Sequence, residues 1–476
     1  MPLQHPAFSP PRLALLALAA LLSGCASPTS PTTALPATPT PAEWSTTAPY
    51  ASSPANAASL ANWWQGFNDP QLTALVTQAL QNSTDVRSAQ SALLQARALR
   101  DVSAAGLGPS VSTSASAQRS KSGGSQAGNI FQAGFDASWE PDVFGGNRSA
   151  LNAAQSDLQA ASASLANVQV SLAAETAVTY IELRGLQAQL LIARGNLASQ
   201  LETLQITRWR AQAGLASSLD VEQGIAASEQ TGAHIPALET SIAQAASSLA
   251  VLTGQSPGVL RSALATAAPV PQPANDLALA IPAETLRQRP DVRAAEHRIK
   301  AALARVAQAD AARYPSFQIS GSLGLRALTL GTLTGGASVA NALLASVSVP
   351  LLDGGAARAQ VRAQEAALES ARISYEGVVL AALKDVEDAL ISLQGNRERL
   401  ARLQAASGAA ANADLLARQR YASGLIDFRA VLETQRTLLS TQDSLEATRA
   451  SLSADHVRLY KALGGGWTRA LETAAR

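Results

Sequence analysis

Residues 131–140 read F-Q-A-G-F-D-A-S-W-E, and this stretch sets the architecture of the chain. Its odd-numbered positions hold aromatic residues and alanine, while its even-numbered positions hold polar residues and one glycine. Because successive side chains of a strand point to opposite faces, this period of two predicts a strand with one apolar face. A length of about ten residues is what a tilted strand needs to cross a bilayer.

Three further stretches also alternate between apolar and polar residues. Residues 317–326 and 343–351 alternate clearly, and residues 111–118 alternate more weakly with small side chains. Loops rich in glycine and serine join the stretches into two pairs, which we place at 109–141 and 315–351. Single barrel strands give weak signals, so two half-buried hairpins on a soluble domain remain the alternative.

The chain is internally duplicated. Asp85-Val86-Arg87 recurs 206 positions later as Asp291-Val292-Arg293, and Gly214 recurs 210 positions later as Gly424. A register that holds across such distant anchors indicates one duplicated unit of about two hundred residues rather than a short solenoid repeat. We place the two copies at 57–268 and 269–465.

Each copy contains a very long helical hairpin. Residues 145–212 and 354–423 contain no proline, and at 1.5 Å per residue each predicts a helix of roughly 100 Å. Turns at Gly214 and Gly424 lead into return helices, which gives hairpins at 145–254 and 354–464.

A helix is predicted before each strand pair, over 70–105 and 282–312. A heptad seam in the second hairpin predicts coiled-coil packing; its members are Val379, Leu383, Val386, Leu390, Leu393 and Leu400.

Four membrane strands cannot form a closed barrel alone. Lipid does not satisfy an open sheet edge, and the smallest common barrels have about eight strands. The pattern therefore predicts a closed oligomer, without fixing the number of chains.

The N-terminus reads as a signal peptide over 1–24. Its apolar run, too short to span a bilayer, ends at Leu22-Ser23-Gly24-Cys25, an order that resembles the bacterial lipobox. Because Cys25 is the only cysteine of the chain, we expect it to be lipidated; an ordinary signal peptide with a chance cysteine is the alternative. Residues 25–56 then form the lipidated N-terminus and a flexible tether, and residues 466–476 form a C-terminal tail.

Other classes of function find little support. The net charge is +1 without a clustered basic stripe, which argues against nucleic acid. The four histidines are scattered, and we find no metal-ligand spacing, nucleophile elbow or phosphate loop. We therefore expect no enzyme activity, no cofactor and no metal. No later stretch has 18 uninterrupted apolar residues, so no transmembrane helix is predicted.

Several short motifs together carry a family resemblance. In order and partly duplicated, they resemble TolC-like outer-membrane efflux factors, most closely the lipidated OprM/NodT type. The matching stretches are W-W-Q-G-F-N-D-P (63–70), T-Y-I-E-L-R-G-L-Q-A-Q-L (179–190), R-P-D-V-R-A-A-E (289–296), V-P-L-L-D-G-G (349–355), V-E-D-A-L (386–390), R-Y-A-S-G (420–424) and T-L-L-S-T-Q-D-S-L (437–445).

The resemblance implies a fold that is mostly α with membrane β-strands, the TolC-like trimeric α/β-barrel. It implies a homotrimer with a twelve-stranded barrel, a helical tunnel and an equatorial belt, which is built from residues 63–70, residues 179–196 and the C-terminal tail past Leu463. Its protein partners would be a periplasmic adaptor (membrane fusion) protein and an inner-membrane pump of the RND type. The barrel and the lipid anchor would contact the lipid of the outer membrane. The function implied is export of small molecules such as drugs and toxic compounds. Type I protein secretion and metal efflux are alternatives within this class; a periplasmic adaptor lipoprotein and a soluble coiled-coil scaffold are alternatives outside it.

The resemblance also places function at the two hairpin tips. It implies adaptor contacts at the first and second turns, although both glycines also fit plain left-handed turn positions. These residues are Arg210, Gly214, Leu215 and Ser218, and Arg420, Gly424 and Leu425. It implies a tunnel gate at Asp427, Arg429 and Glu433; Ala430 stands where the family often carries a second acid.

Overall fold

The computed structural model describes residues 60–121, 123–124, 126–273 and 283–466. All of them belong to the second of two compact units, residues 36–476. The first unit, residues 1–35, lies outside the described residues, as do the remainder of the predicted tether and residues 467–476 of the predicted tail. The expected signal peptide and the expected lipidation at Cys25 therefore fall outside this description.

The described elements follow one order twice. After its hairpin the first copy ends with a short helix at Leu260–Ala263, and the second copy begins with a 3-10 turn at Ala283–Gln288. The elements of the first copy are a 3-10 turn Trp63–Phe67, α1 Pro70–Asn82, α2 Thr84–Ala105, β1 Ser110–Ser120, β2 Gly128–Trp139, α3 Gly146–Gln212, α4 Ser218–Leu252 and α5 Leu260–Ala263. In the second they are α6 Pro290–Ala311, β3 Ser316–Ala327, β4 Val339–Ser348, α7 Ala356–Ala422 and α8 Phe428–Ala462.

The prediction of one continuous helix over 70–105 is wrong. Ser83 has an extended backbone (ψ 140°) and ends α1, and its hydroxyl accepts a hydrogen bond from the Asp85 amide at 3.2 Å. Ser83 is thus an N-cap, a position that serine favours. In the second copy the α-helix begins at Pro290 rather than at the predicted position 282, since proline suits the first position of a helix and cannot continue one.

The four strands form one antiparallel sheet in the order β1-β2-β3-β4. The β2–β3 pairing joins the two copies, with Phe135 opposite Leu323. Strands β1 and β4 each have one edge without a partner in the described part of this chain. The sheet of one chain is therefore open, as predicted: its four strands do not close into a barrel and leave two free edges.

The register gathers apolar side chains on one face of the sheet and polar ones on the other. The apolar face holds Val111, Ala115, Phe131, Phe135, Trp139, Phe317, Ile319, Leu323, Leu325, Val339, Leu343 and Val347. The polar face holds Ser110, Ser112, Ser114, Ser116, Gln132, Asp136, Ser138, Gln318, Ser320, Ser322 and Arg326. Ile130 and Leu344 are apolar exceptions on the polar face, and Thr113 and Asn341 are polar exceptions on the apolar face. Phe135 is 61% and Leu343 is 83% exposed, so the apolar face is bare in a single chain. Such a sheet fits lipid on one side and water on the other.

The two long helices are confirmed. Helices α3 and α7 each have 67 residues, which corresponds to about 100 Å at 1.5 Å per residue. The predicted seam on α7 is buried at Val379, Val386, Leu390 and Leu393, and α7 packs against α6 and α8. The heptad pattern therefore identified the packing face.

A hydrophobic cluster surrounds the middle of α3. Trp63 stacks on Tyr460 with ring centroids 5.4 Å apart, and both side chains are buried together with Ile181 and Leu249. Residues of α1, α3, α4, α5 and α8 contribute to this cluster. It lies where the belt is predicted.

A buried hydrogen-bond network around Arg184 links α3 to its neighbours in the same region, the middle of α3. Arg184 is 2% exposed, and its guanidinium donates to the Tyr180 hydroxyl (3.0 Å), Gln187 Oε1 (2.7 Å), the Thr266 carbonyl (2.7 Å) and Gln71 Oε1 (2.6 Å). The Tyr180 hydroxyl donates to Asp69 Oδ2 at 3.0 Å. Burial, with a further contribution from Asp69, raises the pKa of Tyr180 to about 12 against the opposing effect of Arg184. Each of the three guanidinium nitrogens of Arg184 donates to at least one acceptor, which is what makes a buried cation tolerable.

Helix α4 is long and apolar enough, by length and composition alone, to cross a membrane. It packs along α3 as the second arm of the first hairpin, with Gly224, Ala227 and Thr231 buried. We therefore assign it to the hairpin.

Candidate functional site at the hairpin tips

Both tips are glycine turns of the same kind. Gly214 has φ 73° and Gly424 has φ 76°, a left-handed conformation that favours glycine. The Leu215 amide donates to the Arg210 carbonyl at 2.7 Å, and the Leu425 amide donates to the Arg420 carbonyl at 2.9 Å. These bonds are those of the Schellman motif that ends helices. The two glycines therefore occupy left-handed turn positions, and the turns present Leu215 and Leu425 outward.

The helices that follow the turns are capped by side chains. Ser217 and Asp220 form a capping box at the start of α4, and Asp427 Oδ1 accepts from the Ala430 amide at 3.1 Å at the start of α8. Each cap stabilises its helix by about 1 kcal/mol. Asp427, a predicted gate residue, is thus also the N-cap of α8.

Arg210 joins the first tip to the second. Its Nη1 donates to the Tyr421 carbonyl, and its guanidinium lies over the Tyr421 ring, 4.6 Å from the centroid. The Tyr421 hydroxyl in turn donates to Thr207 Oγ1 at 3.1 Å. Arg210 is a predicted adaptor contact, but within the chain its guanidinium binds the other hairpin.

The contact extends into a small apolar core, which we call the tip cluster: Ala227, Ala417, Tyr421, Phe428, Val431 and Leu432. The rings of Tyr421 and Phe428 lie 5.6 Å apart. A Cβ on Gly224 would come within 2.8 Å of Leu204 Cδ1 and 3.1 Å of Phe428 Cζ. The two hairpins therefore pack tightly next to the turns. Sequence reasoning missed Tyr421 and Thr207, although Tyr421 stands in the R-Y-A-S-G motif.

Large apolar side chains are exposed at the ends of both hairpins. Leu215 is 70% and Leu425 is 73% exposed, and Trp209 and Leu219 are exposed beside Leu215. The predicted contact residues Ser218 and Arg420 are exposed as well; so are Gly214 and Gly424. Clustered exposed apolar side chains are typical of a binding surface.

The remaining gate residues lie on the first turns of α8. Arg429 and Glu433 are four residues apart and exposed, and Asp427 is exposed at the cap. In the described part of a single chain, neither Arg420 nor Arg429 forms an ion pair with Asp427 or Glu433. The carboxylate of Glu433 is therefore accessible from outside the chain. Within the described ranges no group of three or more His, Cys, Asp or Glu residues is placed to hold a metal.

Comparisons with known sequences agree with this architecture. The sequence model of the family described as Outer membrane efflux protein matches residues 75–255 and again residues 281–465. The toluene efflux pump outer membrane protein TtgF of Pseudomonas putida is 31% identical over 420 residues, 85% of this chain and 85% of that protein. The pyoverdine export outer membrane protein OpmQ of Pseudomonas putida is 32% identical over 473 residues, 96% of this chain and 98% of that protein.

Solved structures share the fold. The outer-membrane channel OprN is 34% identical with a TM-score of 0.82, covering 92% of this chain and all 100% of that one. The outer membrane protein VceC from Vibrio cholerae is 27% identical with a TM-score of 0.79, covering 86% and 99%.

Sheet, long hairpins and tips therefore define a TolC-like outer-membrane channel, as predicted. The chain belongs to the outer membrane efflux protein family. This is a family of transport components of the outer membrane, which removes the periplasmic adaptor and the soluble scaffold as alternatives.

Proposed function

We propose that this chain forms, as a homotrimer, the outer-membrane exit channel of a tripartite efflux pump. The observation that carries the proposal is the sheet, whose apolar face is bare and whose edges β1 and β4 are free. Three copies give twelve strands, which closes a barrel with room for a water-filled lumen. The polar face then lines the lumen, and the hairpins continue the channel as a tunnel.

The partners are a periplasmic adaptor at the tips and, beyond it, an inner-membrane pump of the RND type. Leu215 and Leu425 offer two apolar contacts per chain on rigid Schellman turns. Gly214, Ser218, Arg420 and Gly424 surround these leucines as exposed neighbours, while Arg210 positions the two turns relative to each other. Relatives named as efflux pump outer membrane proteins support this assembly.

The tunnel gate is assigned to Glu433, with Asp427 and Arg429 beside it. Three copies of a carboxylate in one ring repel each other, attract cations and make the constriction sensitive to pH. Since Asp427 also caps α8, its replacement changes helix stability as well as charge. Glu433 is therefore the cleaner position for testing the gate.

The lipid anchor is assigned to Cys25, which would tether the N-terminus to the outer membrane through residues 25–56. The substrate is a small molecule selected mainly by the pump, because relatives named for toluene efflux, pyoverdine export and solvent efflux each match 85% or more of this chain.

Electrophysiology of the purified full-length protein tests the proposal. We expect heat-modifiable trimers from outer-membrane fractions, steady conductance in planar bilayers, and a rise in conductance for Glu433→Ala together with Asp427→Ala. The single variant Asp427→Asn separates the cap from the gate. Monomeric protein without conductance would refute the channel, and unchanged conductance and cation block in the double variant would refute the gate.

A further inference from the structure

The charges of the sheet are unevenly distributed along its length. The stretches 116–135 and 320–345 contain the hairpin-loop ends of all four strands, and they hold Arg119, Lys121 and Arg326 but no Asp or Glu. The acidic residues Asp136 and Glu140 lie toward the other end of β2. The loop end therefore carries three positive charges per chain with no carboxylate to neutralise them.

The register separates these cations between the two faces. Arg119 lies opposite Asn129, one step beyond the pair of Ala117 with Phe131, and is thus on the apolar face. Lys121 is the next position of the same parity, just after β1 ends. Arg326 pairs with Gln132 and is on the polar face.

The height of Arg119 matches a lipid headgroup. From Phe131 to Trp139 the apolar face of β2 extends about 27 Å along the strand, and Arg119 lies one same-face step, about 7 Å, farther out. For a strand tilted by about 40°, these distances correspond to about 21 Å and about 5 Å along the membrane normal. The headgroup region beyond the hydrocarbon core is about 5–8 Å thick on each side. Arg119 and Lys121 are exposed and reach this layer directly.

The same end of the sheet faces the outer leaflet. Helix α2 leads into β1 and β2 leads into α3, while α6 leads into β3 and β4 leads into α7, so the helices attach at the opposite end. With the hairpins in the periplasm, the loop end meets the outer surface of the membrane. This step rests on the proposed function.

We propose that Arg119 and Lys121 form a binding site for the phosphate groups of the phosphorylated glycolipid of the outer leaflet. A phosphomonoester carries about −1.5 to −2 charge and accepts several hydrogen bonds, and arginine binds phosphate through two parallel N–H groups. A trimer presents three such pairs around the barrel. Arg326 has the same charge at the same end but faces the lumen, so it takes no part in the site.

A lipid-binding measurement on the detergent-solubilised full-length trimer tests this site. The probes are bisphosphorylated lipid A, the same lipid after removal of both phosphates, and phosphatidylglycerol. A basic residue near an anionic membrane surface changes binding roughly fivefold, so Arg119→Gln with Lys121→Gln is expected to weaken lipid A binding by roughly thirtyfold. Arg326→Gln, the matched control, is expected to bind lipid A like the unchanged protein.

Three outcomes overturn the proposal: the double variant binds lipid A within twofold of the unchanged protein, Arg326→Gln loses as much affinity, or the phosphate-free lipid or phosphatidylglycerol binds equally well. Trimer state and planar-bilayer conductance are read on the same preparations. A conducting trimer without phosphate-dependent binding refutes only the lipid site. Absence of both trimer and conductance refutes the proposed function and the site that rests on it.

Discussion

Arg210 contacts the other hairpin, a role that could not be predicted from its position in the sequence. It lies in the last turn of α3, where a basic residue suits the helix C-terminus, yet it binds the carbonyl and the ring of Tyr421 on the other hairpin. Its counterpart Arg420, at the same point of the second copy, is exposed. The duplication has thus given equivalent residues different environments.

Replacing Arg210 should loosen the second tip. Arg210→Met keeps the stem and removes a charged hydrogen bond and a cation–π contact, together about 2–4 kcal/mol at a partly desolvated site. We expect faster amide hydrogen exchange over residues 419–426 of the full-length protein. Arg420→Met is the matched control and should leave that exchange unchanged; equal acceleration by both variants would contradict the role of the Tyr421 contact.

Asp443 makes stability depend on pH. Burial raises the pKa of its carboxyl, against a small opposing effect of His234 on α4, and its Oδ1 has no hydrogen-bond partner within the described chain. An acid whose pKa is raised on folding binds protons more readily in the folded state, so its contribution weakens stability as pH rises through the unfolded and then the folded pKa.

Asp443→Asn should therefore raise the melting temperature at pH 8 and have a smaller effect at pH 3, below the ordinary aspartate pKa of about 3.9, where the carboxyl is mostly protonated in both states. Calorimetry at the two pH values measures the difference. Glu433→Gln, an exposed loss of one negative charge on the same helix, serves as control. The same gain at both pH values would show that the burial of charge is not the cause.

At the scale of elements, the strands and hairpins could be predicted because their periods are local. Alternation fixed the four strands to within a few residues, and the paired glycines fixed both turns. The break at Ser83 was missed because a serine cap and a helix-interior serine look alike until the backbone is seen. The Arg210–Tyr421 contact joins residues 211 positions apart, and no local pattern encodes such a pairing.

The junction of the two copies depends on two glycines that face each other. A Cβ on Gly134 would lie 2.7 Å from the Gly324 Cα and 2.8 Å from the Leu323 carbonyl oxygen. Gly134 and Gly324 are directly opposite in the β2–β3 ladder. The close approach of these strands therefore leaves no room for a side chain on the lumenal face here.

Gly134→Val should disturb the β2–β3 pairing by about 1–3 kcal/mol, the usual cost of overpacking. We expect less heat-modifiable trimer in outer-membrane fractions. Gly321→Ala is the matched control on β3, because a Cβ there would have its nearest neighbours at 3.8 Å. A normal amount of trimer from Gly134→Val would show that the strands can separate without penalty.

At the scale of the whole molecule, closure is the property that a single chain cannot supply. Residue alternation predicted strands with one apolar face, and the register confirms that the four strands share one largely apolar face. The number of chains was not encoded locally, because β1 and β4 would offer the same free edges to two, three or more copies. Covalent capture of the β1–β4 contact between chains measures that number directly.

Disulfide formation requires two Cβ atoms on the same face and about 4 Å apart. Ser114 on β1 and Ala342, Leu344 and Ser346 on β4 all lie on the polar face. We therefore expect Ser114→Cys, combined in turn with each of these β4 positions as cysteine, to give at least one variant that cross-links between chains. On non-reducing gels that variant should show dimers and then trimers as its largest species, since in a closed ring of three every β1 edge pairs with a β4 edge.

Leu343→Cys lies on the opposite face beside Leu344 and is the matched control, which should not cross-link with Ser114→Cys. A ladder that extends past three chains, or equal cross-linking of the control, would contradict the closed trimeric barrel.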